Sequence, residues 1–184
     1  MTAVLSVVRV PAFRPQVGEA AAPWAEDPSA ALLRHFAEVA RERMAGLDFL
    51  NPAVDVRVAE CRRVAGDWLA ALVTPWSIQL VLLPGGGTLW EDSAPGLRRR
   101  VALPAGELVF IGDAGEAGLP AYQYCPLIAP VVAIADTVAA CTIARDALAA
   151  VLTAPAPAPC TEAPAASPEV LPSPARRAFL RVPR

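Results

Sequence analysis

Lysine is missing from this chain: all 16 basic residues are arginine. A Gly-rich phosphate loop closing on lysine is therefore excluded, and the triple glycine Gly85-Gly86-Gly87 reads as a plain loop. Histidine is nearly missing too. The one present, His35, falls within a predicted helix and is expected on its surface, so a His-rich metal site and a Ser-His-Asp or Cys-His mechanism have little to build on. The four cysteines, Cys61, Cys125, Cys141 and Cys160, never form C-x-x-C, which excludes rubredoxin-type and zinc-ribbon sites. No metal and no cofactor is expected. Charged residues are only 18% of the chain and the net charge is −2, so no general attraction to nucleic acid or anionic membrane exists. Long apolar runs are lacking as well. The uncharged stretch of residues 117–135 is broken by Pro120, Pro126 and Pro130 and makes a poor membrane span. The apolar start from Ala3 to Val10 has no basic n-region and is no convincing secretory signal. The expectation is a soluble cytoplasmic protein that inserts into no membrane.

Hydrophobic residues, at 55% of 184, are abundant instead. Residues 1–26 form a leader of uncertain structure, since Pro11, Pro15 and Pro23 oppose a long helix. A helix is expected from Asp27-Pro28, with Asp27 capping and Pro28 in the first turn. Its apolar face would carry Leu32, Leu33, Phe36, Val39, Ala40 and Leu47, with Gly46 as terminator. The period then changes. Val54, Val56 and Val58 alternate with Asp55 and Arg57, and Glu60 on the apolar parity calls for a bulge near Ala59. "WLAALV", "SIQLVLLP", "LRRRVAL", "ELVFIG" and "AYQYCPL" are further strands. Leu80 to Leu83 is apolar on both parities, as in a strand covered on both faces. Pro104-Ala105-Gly106 signals a hairpin. Asp136 can cap a last helix with Val138, Cys141, Leu148 and Leu152 facing inward. The fold class is α+β: one domain over residues 27–153, with an antiparallel sheet of about five or six strands packed by an N-terminal and a C-terminal helix. Residues 154–184 are an Ala/Pro-rich linker and a cationic tail, expected to be disordered.

In order and spacing, "ERMAGLDFLNP", "LVTPWSIQLVLLPG", Trp90, "LPAGELVF" and "YCPLIAP" resemble the HybE/HupJ/HoxT family of [NiFe]-hydrogenase assembly chaperones. The resemblance spans about residues 30–152, and "ARRAFL" resembles the arginine-pair ending common in that family. The T-P-W block, Thr74-Pro75-Trp76, is its most specific element. Where the family usually carries Met or Leu, this chain has Ser77 and Gln79. The resemblance implies a cytoplasmic, non-enzymatic maturation factor. Its partners would be the hydrogenase large-subunit precursor and the small subunit, or the twin-arginine signal peptide of the latter, with export delayed until the cofactor is in place.

The residues themselves leave two readings open for Trp76, Leu80 and Trp90. They form either an aromatic and aliphatic patch receiving an apolar partner segment, or ordinary core. Pro75 would make the strand it enters a bulged or edge element. Cys125 is either a structural thiol or the centre of a rival class, a thiol-dependent redox or metal-centre assembly factor. A small-molecule pocket is a third class, with no convergent polar set behind it. Arg98, Arg99 and Arg100 read as a solvated strand face in which one arginine pairs with an acid. In the tail, Arg176, Arg177, Phe179 and Leu180 match the R-R-x-F-L core of an export signal, but at the wrong end and with no apolar region after it. That motif either aids solubility or mimics an export signal, masking the chain's own acidic groove or docking on a partner.

Overall fold

Two periodicities divide the chain into helices at its ends and strands between, and the computed structural model, which describes residues 21–154, keeps that division. The elements are α1 (Ser29–Glu42), β1 (Arg57–Val64), β2 (Asp67–Val73), β3 (Ile78–Leu83), β4 (Arg98–Leu103), β5 (Gly106–Glu116), β6 (Leu119–Ile128) and α2 (Thr137–Val151). The six strands form one antiparallel sheet in the order β1-β2-β3-β6-β5-β4. The result is a single α+β domain. Cys160 and the tail motif Arg176, Arg177, Phe179 and Leu180 lie outside the described residues.

The helices cover opposite faces, and the double-sided apolar pattern of β2 and β3 follows from that. Leu69, Ala71 and Val73 with Ile78, Leu80 and Leu82 join Cys141, Ala144 and Leu148 of α2 in one core. Ala70, Leu72, Val81 and Leu83 join Leu32 and Phe36 of α1 in the other. Alternate side chains of a strand point to opposite faces, so a central strand is apolar on both parities where helices cover both faces, as at Leu80 to Leu83. All six residues of β3 are buried. Burying one leucine such as Leu80 stabilises the fold by about 2 kcal/mol.

Several expectations need correction. Pro75 sits in the β2–β3 turn rather than in a strand, and β3 is central rather than at an edge, while its pairing with β6 does shift register between Ile78 and Gln79. Helix α1 begins one residue after Pro28, and Asp27 accepts from the backbone N–H of Ser29 at 2.8 Å. Leu33 and Leu47 face outward, because the sheet is met by the narrower stripe Ala31, Leu32 and Phe36. In α2 the small residues Ala140 and Ala144 take the inner face beside Cys141 and Leu148, while Val138 is 74% exposed. The strands β5 and β6 run further than their motifs, closing through Ala117 and Gly118. Expected features that recur are the bulge between Val58 and Glu60, and the Asp136 cap accepting from Ala139 N–H at 2.8 Å. Arg99 pairs with Glu91 at 3.0 Å and Arg100 with Glu107 at 3.3 Å.

The triple glycine has a structural task. Asp67 is fully buried, and its carboxylate accepts four backbone N–H groups, from Gly85 (2.7 Å), Gly87 (2.9 Å), Leu89 (2.8 Å) and Trp90 (2.9 Å). The amides that could cradle a phosphate are thus committed to a side chain of the chain itself. A Cβ at Gly87 would stand 2.1 Å from the Ala65 carbonyl oxygen, so the close approach requires glycine there. Burial alone would raise the Asp67 pKa; the four N–H donors outweigh it and hold the carboxyl below its usual range.

Candidate partner-binding groove

On the α1 side the sheet is only partly covered. Helix α1 packs on β1 and β6 and leaves the strands beyond open. Between the helix and the sheet runs an open groove of about 260 Å3. Its helical wall is His35, Phe36, Val39, Arg43 and Met44, a set that repeats at the helical period and so shares one side of α1. Its floor is Gln79 of β3, Tyr122 and Tyr124 of β6 and Asp113 of β5, with Trp76 as the far wall. Cross-strand register explains the floor: Asp113 stands opposite Tyr122 and Ile111 opposite Tyr124, so all four share one face.

Aromatic packing fixes the groove's inner end. The His35 ring meets Phe36 and Tyr122 edge-on at 5.0 and 6.0 Å, and Phe36 meets Tyr122 at 5.8 Å. Burial pushes the Tyr122 phenol up, and the facing Asp113 carboxylate adds to it, so this hydroxyl stays protonated. Arg43 bonds Glu116 across the end of the groove and holds that carboxyl below its usual range. Gln79 is only 5% exposed, and its side-chain amide opens to the groove rather than being sealed without a partner. Beyond Tyr124 the surface continues into Ile111 and the 45% exposed Val109, flanked by Arg98 and Arg100.

The T-P-W block builds one wall. Thr74 is buried, donating from its hydroxyl to the Ser77 carbonyl (2.9 Å) and accepting from the Ser77 N–H (3.0 Å), which closes the turn. The Pro75 carbonyl accepts the Asn51 N–H at 2.8 Å. Asn51, from the N-P motif, is buried; its amide donates to the carbonyls of Val131 (3.0 Å) and Ile134 (2.7 Å). Thr74 and Pro75 therefore hold the turn, and Trp76, half-buried at its tip, is the one residue of the block that faces the groove.

Trp76, Leu80 and Trp90 do not come together as one patch. Leu80 is fully buried in the α2-side core. Trp90 packs against that same core, on the opposite side of the sheet from Trp76, and its indole N–H donates to Asp92 at 3.0 Å. Cys125 is 7% exposed in the α2-side core, and burial pushes its thiol up, away from the reactive thiolate. His35, expected on the helix surface, is half-buried in the groove. The sequence reading missed Gln79, Tyr122, Tyr124 and Asp113 as a set. The available signal was the Tyr122/Tyr124 spacing of two, which puts both rings on one strand face, and a lone glutamine within an apolar strand. Among the described residues no cluster of three or more His, Cys, Asp or Glu could hold a metal, and no helix is long and apolar enough to cross a membrane.

The family described as "[NiFe]-hydrogenase assembly, chaperone, HybE" matches residues 27–182. The chain is 32% identical over 104 residues to the "Hydrogenase-2 operon protein HybE" of Escherichia coli K12, 56% of this chain and 63% of that protein. It is 32% identical over 115 residues to the "Hydrogenase expression/formation protein HupJ" of Bradyrhizobium diazoefficiens, 62% of this chain and 65% of that one. A "Probable rubredoxin HupJ" of Rhodobacter capsulatus is 30% identical over 97 residues, only 34% of its length. This chain has no paired cysteines to share a rubredoxin site. The solution structure of HybE from Escherichia coli superposes with a TM-score of 0.59 at 26% identity, covering 89% of this chain and 94% of that one. The chain thus spans somewhat under two thirds of the length of the first Escherichia coli relatives in sequence alignment.

Proposed function

Because the chain belongs to the HybE family of [NiFe]-hydrogenase assembly chaperones, we propose that it binds immature hydrogenase subunits through the groove between α1 and the sheet. The targets are the large-subunit precursor and the small subunit with its twin-arginine signal peptide, held in the cytoplasm until the cofactor is in place. The activity is binding, without bond-making chemistry. Gating then comes from higher affinity for unfinished than for finished subunit.

One observation carries this reading: the α1 side of the sheet keeps an open groove walled by Trp76 and floored by Gln79, Tyr122, Tyr124 and Asp113. An aromatic wall gives contact area at low entropic cost, and a buried amide can satisfy the backbone of an extended segment. Asp113 offers a carboxylate to an arginine-bearing segment. Of the residues first singled out, Trp76 is proposed to touch the partner, with Thr74 and Pro75 fixing its turn. Leu80, Trp90 and Cys125 support the fold from the other side. The rival thiol-dependent mechanism has less behind it, since Cys125 is buried and burial raises its pKa.

The test is affinity capture of the tagged protein from cells making the cognate hydrogenase, comparing precursor with mature subunits. Enrichment of precursor, lost in Trp76→Ala, is expected. Capture of neither subunit overturns the reading.

A further inference from the structure

Resting on that reading of the groove, we infer that the groove has an internal ligand: the chain's own C-terminal motif, Arg176-Arg177-Ala178-Phe179-Leu180, lies in it until a partner segment displaces it. The site and the occupant fit on four counts.

The first is where the chain leaves the described structure. Helix α2 ends beside the β4–β5 turn, with the Val151 carbonyl accepting the Ala105 N–H at 3.1 Å. Residue 154 therefore stands at the edge of the half of the sheet that α1 leaves open. From β4 to β3, where the groove floor begins, is three strand spacings, about 14 Å. Residues 155–175, rich in Ala and Pro, reach up to about 65 Å when extended, so the connection is long enough without strain.

The second is charge. The segment 171–184 carries Arg176, Arg177, Arg181 and Arg184 and no acid. The groove presents Asp113, which among the described residues pairs with no arginine, accepts the Gly115 N–H (2.8 Å) and faces the Tyr122 hydroxyl, with the Arg43-bonded Glu116 at the same end. A guanidinium matches a carboxylate in planar, two-point geometry and stacks on aromatic rings such as Tyr122, Tyr124 and Trp76.

The third is apolar match. Phe179 and Leu180 follow the arginine pair after Ala178, while Val109 and Ile111 prolong the groove floor as exposed or half-exposed strand residues. The fourth is the Gln79 amide, which lines the groove and opens to it. An extended segment offers a backbone N–H and C=O to such a side chain, as peptides do in strand-lined grooves.

Tethering makes a weak contact count. A tether of this length gives an effective concentration of about a millimolar, so a motif of modest intrinsic affinity occupies the groove and weakens a competing peptide about fivefold.

The experiment uses the full chain and its double variant R176E/R177E, with a synthetic peptide carrying R-R-x-F-L as competitor. The readouts are peptide affinity and the NMR resonances of the Gln79 side-chain amide and the Trp76 indole. Self-occupancy predicts that R176E/R177E moves both resonances and binds the peptide about fivefold tighter. Unmoved resonances with equal peptide affinity overturn the internal ligand and leave the groove's partner role standing. Moved resonances with no peptide binding by either protein uphold the internal ligand and overturn the partner role. Equal resonance shifts from R181E/R184E reduce the effect to general charge and overturn the motif. Resonance shifts that vanish on dilution assign the occupant to a second copy and overturn the intramolecular form.

Discussion

The backbone N–H of Asn51 donates to the carbonyl of Pro75 at 2.8 Å, joining two short motifs that lie far apart in the chain. Through this bond and the three made by its side chain, Asn51 fixes the loop after α1, the loop before α2 and the turn bearing Trp76. Asn51→Ala leaves two carbonyls and a backbone N–H without their side-chain partner. It is expected to lower stability by about 2 kcal/mol and to broaden the Trp76 environment. Urea unfolding and tryptophan fluorescence check both; an unchanged denaturation midpoint would refute the clamp.

Trp76 and Leu80 are four residues apart but answer to different faces of the sheet. Trp76→Ala removes a half-exposed wall of the groove and should weaken capture of hydrogenase subunit precursor at least tenfold, at less than about 1.5 kcal/mol of stability. Leu80→Ala opens a cavity in the α2-side core and should cost about 3 kcal/mol, with binding by the remaining folded protein unchanged. Calorimetry beside the capture assay separates the two. Equal effects of both substitutions on both measurements would dissolve the distinction.

Asp67 makes stability depend on acid. Its carboxyl, held below the ordinary value of 3.8 by four N–H donors, stabilises the fold fully above that pH. The contribution is lost as pH falls through the lower folded value, because protonation then becomes easier in the unfolded chain. Asp67→Asn turns an NH2 group toward those donors and should cost about 2 kcal/mol at pH 7. The variant should lose less stability than the parent between pH 5 and 3, as measured by urea midpoints.

Neither Cys61 nor Cys125 is built to react. Burial pushes the Cys61 thiol up to about 12, with the Asp27 carboxylate adding to it, and burial raises Cys125 as well. Alkylation of both at pH 8 should be far slower in the native protein than in urea, read by mass spectrometry of digested protein. Cys125→Ala should preserve hydrogenase maturation in cells. Loss of maturation with subunit binding intact would restore the thiol-dependent mechanism.

Gly87→Ala puts a methyl group against the Ala65 carbonyl and should loosen the loop that Asp67 gathers. A drop of about 2 kcal/mol is expected, larger than for Gly118→Ala in the β5–β6 turn, where nothing stands within 4 Å of the added carbon.

What the sequence by itself determined was the kind and order of the elements. Helical and strand periods differ, so the change at Val54 and the double-sided run at Leu80 to Leu83 were legible without any partner. Capping at Asp136 and the bulge at Val58–Glu60 were legible too, because both are settled by neighbouring residues. Only the tertiary structure decided which face each residue serves. Alternation says that Leu80 and Val81 point opposite ways, but not which helix waits on either side. Pairing β3 with β6 and β6 with β5 brings Gln79, Tyr122, Tyr124 and Asp113 onto one floor, and the β3–β6 pairing joins segments over forty residues apart. For the same reason Trp76 parts company with Leu80 and Trp90: a turn residue takes its direction from the turn's closure and from Asn51, neither of which strand periodicity encodes.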